Sequence, residues 1–420
     1  METSQSWIAN VEILNAQLRK ESWYNTFWSK FAGSVKVSQD DNGNPVYAPS
    51  GKPIEILNAF IQEGRDNMLI PFLKELTGSP VFGDTVLKGT GEDQTMHWLR
   101  SYVNQYRKAV MKKSGSMSEQ RQKIFKLYEA AKPQLSKWFS KFENQAIFET
   151  FYQGVSPNLS TGTTSDGLGL AMRLHPNWFY VSHATSGALT TIGSVNTTKT
   201  VSDVDTIVAA GSQAVIHGKA LQTLRVKCMT QRIPQIVTKS GLPFWALLVH
   251  PEQMKTLQQE SVFLAAQQAA FTGKALDLPE LAGAQGFYAG FAIFEDIVGV
   301  RKWDNTAAVG QEFFGATTAT RLAPDASSPG NANYNAIVFG NSSIGKGVAK
   351  DLHFTNEVDD HENTIEVGGA AINGYNRADF FSDTNSAESG SYAFKKNESA
   401  AHYCAELSST NQSSLVLMTA

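Results

Sequence analysis

The most regular pattern in the chain is an apolar stripe within residues 118–153. Its members recur at spacings of three and four: Ile124, Tyr128, Ala131, Leu135, Trp138 and Phe142. This spacing predicts one face of a long α-helix, beginning near Ser118 and ending before Gly154. Pro133 lies inside the stripe, so we expect it to kink or split the helix. A helix this long needs a broad apolar partner, most simply a sheet, and we expect Trp138 to be buried against it.

The segment before this helix has a different pattern. Residues 55–76 predict a short strand with a break at Pro71, and residues 78–113 then mix polar and apolar positions without helical spacing. Tyr102, Val103 and Tyr106 favour strands. We therefore predict a long, largely polar β excursion that buries little of itself.

The second half of the chain predicts both helices and strands. Residues 202–225 have a helical pattern, and Phe244-Trp245-Ala246-Leu247-Leu248-Val249 is typical of a buried strand. His250-Pro251-Glu252 then suits a helix start, because proline is favoured at the first helical position and an acid in the first turn. We expect this helix to continue to about Phe271.

The remaining segments complete an α+β chain without an internal repeat. Residues 286–300 predict a strand-rich return, 303–333 a turn-rich insertion, and 334–380 short strands alternating with glycines. Residues 415–418 suit a final strand or an arm. Residues 1–32 are rich in aromatic side chains that either a core or an arm across a neighbour would need.

Composition and charge narrow the function only slightly. The 36 lysines and arginines against 39 aspartates and glutamates argue against tight, sequence-specific nucleic-acid binding, although a local basic stripe is compatible with them. The longest apolar runs have strand length, and the first residues lack the basic and apolar regions of a secretory signal. Cys228 and Cys404 have no metal-ligand spacing and are expected to be reduced thiols. We expect synthesis in a cytosol-like compartment, no membrane contact and no cofactor.

Two segments look like ligand sites. Gly340-Asn341-Ser342-Ser343-Ile344-Gly345-Lys346 has the spacing of a phosphate-binding loop, but Gly347 stands where serine or threonine would hold magnesium. We interpret it as a glycine-rich β-turn. Asp359-Asp360-His361-Glu362 suggests a metal cluster, yet adjacent side chains of a strand alternate in direction, so an exposed acidic turn is the better interpretation. No catalytic constellation is present in the sequence, and we expect no enzymatic activity.

Two stretches resemble the N4-type major capsid proteins of tailed bacteriophages. The first runs from Phe82-Gly83-Asp84-Thr85-Val86-Leu87-Lys88-Gly89-Thr90-Gly91-Glu92 through Asn104-Gln105-Tyr106-Arg107-Lys108-Ala109-Val110 to the long helix, with Leu135-Ser136-Lys137-Trp138-Phe139. The second is Leu247-Leu248-Val249-His250-Pro251-Glu252-Gln253, followed by Gly290-Phe291-Ala292-Ile293-Phe294-Glu295. Both stand in the family's order.

The resemblance implies the Hong Kong 97-type capsid fold, an α+β fold with a spine helix, a peripheral sheet, an extended hairpin loop and an axial domain. By analogy, the division is 1–77 for the N-terminal arm and the start of the peripheral domain, 78–117 for the extended hairpin, 118–201 for the spine helix and peripheral domain, 202–333 for the axial domain, and 334–420 for the return to the peripheral domain and a C-terminal arm.

The implied function is a major capsid protein, which self-assembles into the icosahedral shell enclosing a double-stranded DNA genome. The implied partners are further copies in pentamers and hexamers, a separate scaffolding protein, a portal, a decoration protein, and packaged DNA contacted non-specifically. The protein would be assembled in the bacterial cytoplasm and reside in the virion. The alternatives are an enzyme that uses the loop from Gly340 to Lys346, or another phage structural protein such as a portal.

An exposed hairpin with much aromatic surface is a liability unless another chain covers it. We therefore expect the hairpin to carry the contact with a neighbouring subunit and to contribute little to its own core. The candidate interface residues are Trp98, Leu99, Tyr102, Val103, Tyr106 and Arg107. Gly78 and Gly115 at its base would let it tilt between pentamer and hexamer settings.

The interpretation of the Gly340–Lys346 segment gives a direct prediction. Because the magnesium-binding hydroxyl is missing, the protein should bind no ATP detectably, and Lys346→Ala should leave this result unchanged. Isothermal titration calorimetry checks it. Micromolar ATP binding that disappears in Lys346→Ala would contradict the prediction.

Overall fold

The computed structural model describes residues 27–39, 45–48, 50–58, 67–73, 82, 96–111, 127–154, 156, 174–193, 199–238, 241–272, 283–297, 299–303, 322–323, 333–359, 364–378 and 413–420. Its α-helices are α1 (Leu127–Gln153), α2 (Val201–Ala210), α3 (Gly218–Thr230), α4 (Pro251–Gln258) and α5 (Ser261–Thr272), and a 3-10 helix covers Phe27–Phe31. The strands of the first part are β1 (Ala32–Ser34), β2 (Lys36–Gln39), β3 (Pro45–Ala48), β4 (Ile54–Leu57), β5 (Asn67–Leu73), β6 (Met96–Tyr102), β7 (Asn104–Met111), β8 (Trp178–Val181) and β9 (Leu189–Thr191). Those of the second part are β10 (Ile236–Val237), β11 (Pro243–Val249), β12 (Gly286–Tyr288), β13 (Phe291–Glu295), β14 (Lys302–Trp303), β15 (Leu322–Ala323), β16 (Tyr334–Phe339), β17 (Ile344–Asp359), β18 (Thr364–Arg377) and β19 (Ser414–Thr419).

An eight-stranded sheet forms the larger half of the fold. Its order is β12-β13-β11-β16-β19-β8-β9, with β10 pairing to β11. The central β11 is apolar on both faces because both are covered, and Phe244 to Val249 are all buried. The last strand, β19, lies between β16 and β8, so the C-terminal residues belong to the middle of the sheet.

Helices cover this sheet on both sides. On one face, α3, α4 and α5 pack through Leu221, Leu257 and Phe263 against Leu247 and neighbouring side chains. On the other face, the end of α1, the helix α2 and the 3-10 helix form an aromatic core around Trp28. The Trp28 ring centroid lies 5.0 Å from that of Phe148, and the 3-10 helix is thus part of the subunit's own core.

A second sheet has the order β1-β4-β17-β18-β7. The first half of α1 lies against it, with Leu135, Phe139 and Phe142 packed on Tyr106 and Val367. The two sheets therefore share one helix. Residues 135–144 of α1 have a buried and an exposed side, whereas residues 145–153 are buried throughout.

A hairpin extends from the second sheet. Strands β5 and β6 pair in antiparallel fashion from Asn67 opposite Tyr102 to Leu73 opposite Met96. The chain then passes through Val103 into β7, which pairs with β18. The hairpin is therefore a direct continuation of the edge strand of the five-stranded sheet.

Several predicted elements are confirmed. Helix α1 ends at Gln153, and Gly154 follows with φ 85°. Strand β11 and the helix start at Pro251 lie where the sequence places them, with His250 as the N-cap. Residues 415–418 are a strand and not an arm.

Other expectations are wrong. The alternative of a split at Pro133 is excluded, because α1 continues through this residue as one helix. Residues 202–225 do not form one helix, because Gly211 adopts a left-handed conformation (φ 59°) that ends α2, and His217 caps the start of α3. The helix expected to reach Phe271 divides at Gln259 and Glu260 into α4 and α5.

Two predicted strand segments also differ. Pro71 lies within β5, and its register partner is Trp98 of β6, so the strand does not break at this proline. An edge strand tolerates proline because its missing amide need not pair. Residues 334–380 contain, besides β16, the long pair β17 and β18 in place of short strands, with register irregularities between Val348 and His353.

The sheets divide the chain differently from the predicted domains. Strands β8 and β9, from the segment predicted as peripheral, share a sheet with β11 and β13 of the predicted axial segment. Strands β16 and β19 do so as well. The physical reason is burial, because β16 and β19 are buried along their whole length and therefore suit the middle of a sheet that is covered on both faces.

The half-burial of Trp138 changes the expected energetics of α1. Trp138 stacks on Phe142 with ring centroids 5.5 Å apart, but its neighbour Phe139 is fully buried. A Cβ atom built on Gly369 would lie 2.5 Å from the Phe139 ring, so the ring packs directly on the β18 backbone.

Phe139→Ala should therefore destabilise the subunit by about 3–5 kcal/mol, whereas Trp138→Ala should cost about half of that or less. Urea unfolding of both variants, followed by circular dichroism, checks the order. Equal losses of unfolding free energy in the two variants would show that Trp138 is as deeply packed as Phe139, which would contradict the prediction.

Candidate subunit interface and its buried anchors

The structure separates the six candidate interface residues into two groups. Tyr102, Val103 and Tyr106 are buried within their own subunit, with exposed fractions of 1%, 6% and 9%. These side chains pack in the core of their own subunit, and a role of theirs in contact with a neighbour stays a prediction. The reason for the burial is that β7 is a strand of the subunit's own sheet and turns Tyr106 toward α1, where its ring centroid lies 4.6 Å from that of Phe142.

The other three remain compatible with a contact to a neighbour. Arg107 is exposed, and strand alternation directs it to the sheet face opposite α1. Trp98 and Leu99 lie in β6 opposite Pro71 and Ile70, and their side chains lie outside the described part of the chain.

Phe82 adds a candidate that sequence reasoning missed. It lies between β5 and β6, and 79% of it is exposed. Gly78 and Gly115, the expected hinges, lie outside the described residues. The described junction between hairpin and sheet is the buried pair Tyr102 and Val103.

A buried polar cluster anchors the base of the hairpin to the spine helix. The Tyr106 hydroxyl donates to Glu143 Oε1 at 3.1 Å, and Asn373 Nδ2 donates to the Tyr106 oxygen at 3.0 Å and to Glu143 Oε1 at 3.3 Å. Lys346 Nζ lies 3.6 Å from Glu143 Oε1 and 5.2 Å from the centroid of the Tyr375 ring. One carboxylate thus joins β7, α1, β17 and β18.

Burial dominates the electrostatics of this cluster. It lowers the pKa of Lys346, and the nearby Glu143 and Asp351 carboxylates oppose that shift. Burial, followed by the charge of Glu143, raises the pKa of Tyr106 and of Tyr375 well above the ordinary value. The hydroxyls therefore stay protonated and Tyr106 acts as a donor to the carboxylate.

A second buried ion pair anchors the same helix to the larger sheet. Arg301 Nη2 lies 3.7 Å from Glu149 Oε1, which also accepts from Gln145 Nε2 at 3.0 Å. The Tyr152 hydroxyl donates to the Asn335 carbonyl at 2.5 Å and accepts from the Arg301 amide at 3.2 Å.

The end of α1 is fixed by a cation. Arg377, the last residue of β18, donates through Nη1 to the Phe151 carbonyl at 2.6 Å. A positive charge there satisfies a terminal carbonyl and complements the helix dipole. Each half of α1 is thus tied to strands through charged, hydrogen-bonded groups.

The segment that resembles a phosphate-binding loop connects the two sheets. Gly340 follows β16 of the eight-stranded sheet, and β17 of the five-stranded sheet begins at Ile344. The Ser343 hydroxyl bonds to the carbonyls of Gly340 and Ser413 at 2.9 and 2.7 Å. A strand, not a helix, follows, which confirms the interpretation as a turn. The arrangement holds strands together and offers no phosphate cradle.

The described part of the chain contains no candidate metal site. No group of three His, Cys, Asp or Glu side chains there could hold a metal ion. Residues 360–363, which contain most of the acidic turn, lie outside it. No described helix is long and apolar enough to cross a membrane.

Sequence reasoning missed both anchors because each buried charge lies in an apolar stretch and finds its partner far along the chain. The available signal was the run from Phe142 to Gln153, which has apolar side chains on every side of the helix and only two charged residues, both glutamates. An all-round apolar helix is buried, so its carboxylates need partners.

Comparison with known proteins identifies the family to which this fold belongs. The sequence profile of the family described as phage capsid protein matches residues 42–392. A search of curated protein sequences gave no significant match.

Solved structures give the same fold. The capsid of Ralstonia phage GP4 superposes with a TM-score of 0.59 at 14% identity, covering 94% of this chain and 90% of that one. The capsid of Helicobacter pylori bacteriophage KHP30 gives 0.56 at 11% identity, covering 94% and 91%. The capsid asymmetric unit of cyanophage Pam1 gives 0.50 at 14% identity, covering 88% of each chain.

The chain belongs to the phage capsid protein family. It is a major capsid protein with a Hong Kong 97-type α+β fold, and therefore a structural component of the virion. The narrower resemblance to the N4 type stays a prediction.

The buried pair of Glu143 and Lys346 should show strong energetic coupling. Glu143→Leu or Lys346→Met alone leaves an uncompensated buried charge and should cost about 3–5 kcal/mol, whereas the double variant should recover much of that loss. Urea unfolding of all four proteins gives the coupling free energy.

A matched control is the exposed pair of Glu252 and Lys255 on α4, 3.3 Å apart. Its coupling should be below about 0.5 kcal/mol. Additive losses for Glu143 and Lys346 would mean that the two charges do not interact in solution.

Proposed function

We propose that this major capsid protein assembles through pentamers and hexamers into an icosahedral shell around double-stranded DNA, and that the hairpin of β5 and β6 carries a contact with a neighbouring subunit. The observation that supports the hairpin's role is its pairing. Among the described residues, β5 pairs only with β6, so the hairpin has no third strand. Isolated two-stranded hairpins are marginally stable, and a neighbour would supply the missing packing.

The two sheets suggest a revised assignment of elements to the peripheral and axial domains. The peripheral domain comprises α1 and the five-stranded sheet, which includes the base of the hairpin. The axial domain comprises the eight-stranded sheet with α2 to α5, together with β8, β9, β16 and β19. In this proposal the axial domains of neighbouring copies meet around the five-fold and six-fold centres.

The structure suits a hairpin whose base stays in place while its outer part changes direction. Tyr106 of β7 is held by hydrogen bonds with Glu143 and Asn373. The preceding strand, β6, which ends at Tyr102, pairs with β5 and not with the five-stranded sheet. A change of backbone angles near Val103 would tilt the hairpin without disturbing the anchor. Such a tilt lets one sequence make related contacts in pentamers and hexamers.

Many modest contacts per subunit stabilise a closed shell, because each further contact within the shell is intramolecular. The partners that we propose beyond further copies are a separate scaffolding protein and a portal during assembly in the host cytoplasm, and a decoration protein on the finished shell. The role is structural, without catalytic turnover.

The test replaces the tip of the hairpin, residues 74–95, with a short Gly-Ser linker. Because the described anchor residues lie outside this segment, the variant should fold with the melting temperature of the wild type but should not close into shells. Circular dichroism reports the fold, and electron microscopy with size-exclusion chromatography reports the shells.

A point variant sharpens the test. Phe82→Ser should reduce shell yield, whereas Val237→Ser, at another exposed apolar position in the axial domain (57% exposed), should reduce it less. Normal shells from the linker variant would place the contact elsewhere. An unfolded linker variant would show that the tip belongs to the core.

A further inference from the structure

The charge of the chain is strongly segregated. Residues 107–141 contain ten lysines and arginines and two glutamates, a net charge of +8, in a chain whose net charge is −3. The rest of the chain therefore carries −11. The basic segment begins in β7 of the five-stranded sheet and ends in the first half of α1.

The described part of this segment presents lysines on one side of the subunit. Lys137 and Lys141, four residues apart on α1, are exposed on the side of the helix that faces away from Phe139. Lys108 of β7 is also exposed, and its Nζ lies 5.8 Å from the centroid of the Trp138 ring. We call these three residues the lysine face.

The two lysines of α1 have no counter-charge on their own stretch of the helix. Between positions 133 and 144 the only carboxylate is Glu143, which is buried and directed at Lys346. Neither Lys137 nor Lys141 forms an ion pair with a described residue. Because like charges four residues apart on a helix repel, an anionic partner would stabilise this arrangement.

The chemistry of the face favours a phosphate backbone over a protein. Protein contacts usually depend on apolar anchors that fill pockets. Here the other exposed or partly exposed positions on this side of the helix are a proline, a glutamine, a serine and an asparagine, and the neighbouring Trp138 is stacked on Phe142. Exposed lysines around a single ring that already packs on its own subunit suit contacts that neutralise phosphates independently of base sequence.

We infer that the lysine face contacts the sugar-phosphate backbone of the packaged DNA, which makes the exposed side of α1 an inner surface of the shell. This inference rests on the proposed function, because it requires that the shell encloses DNA. It assigns the DNA contact to Lys108, Lys137 and Lys141, and not to the basic helix α3, which carries Lys219, Arg225 and Lys227.

The experiment measures the affinity of the full-length, unassembled subunit for a short mixed-sequence DNA duplex by fluorescence anisotropy over a range of salt concentrations. For Lys137→Gln/Lys141→Gln, the slope of log affinity against log salt should become shallower by about 2, because each lysine at a phosphate contributes about 0.9. The control Arg225→Gln/Lys255→Gln removes the same charge from two exposed positions of the axial domain and should leave the slope near that of the wild type.

Equal effects of the two double variants would overturn the inference, since the net charge and not the position would then decide. An unchanged slope combined with loss of shell assembly in Lys137→Gln/Lys141→Gln would also overturn it and would assign these lysines to a protein contact. The proposed function fails separately, if the wild-type chain forms no shells under any condition that supports its folding.

Discussion

The fold depends on one constraint, which is that the second half of α1 must be buried on all sides between two sheets. A helix in this position cannot leave its carboxylates without partners, because an unpaired charge in the interior is strongly destabilising. Glu143 therefore pairs with Lys346 of the five-stranded sheet, and Glu149 pairs with Arg301 near the eight-stranded sheet. Because both glutamates belong to one helix, the two ion pairs tie both sheets to α1.

The remaining features follow from this arrangement. The hairpin begins at a strand whose Tyr106 is bound to the helix carboxylate, so its origin is fixed while its outer part pairs only with itself. The turn from Gly340 to Ser343 passes the chain from one sheet to the other, and Ser343 also holds the start of β19. Because β19 fills the middle of the larger sheet, that sheet is complete only when the last residues of the chain are in place.

Local sequence patterns predicted much of the fold but little of the buried polar cluster around Glu143. The stripe of α1, the buried strand β11 and the helix start at Pro251 are encoded by neighbouring residues, so their positions are correct. The sequence pattern places Tyr102, Val103 and Tyr106 in a largely polar β excursion, which predicts that they contact a neighbour. Their burial depends on β18 and α1, and the Tyr106 partners Glu143 and Asn373 lie 37 and 267 residues away. Lys346 drew attention through its glycine-rich surroundings, while its actual partner could be identified only from the three-dimensional contacts. The family resemblance supplied the class of protein, but the sheet memberships of β8, β16 and β19 needed the structure.

The central claim is that α1 binds both sheets into one rigid body from which only the hairpin departs. Cryo-electron microscopy of assembled shells tests it most directly, because pentamer and hexamer copies can be compared within one particle. The account predicts that α1 and both sheets superpose as a single unit in every copy, with Glu143 beside Lys346 and Glu149 beside Arg301, while the hairpin changes direction near Val103. Copies in which the two sheets rotate against each other about α1, with either ion pair broken, would contradict it.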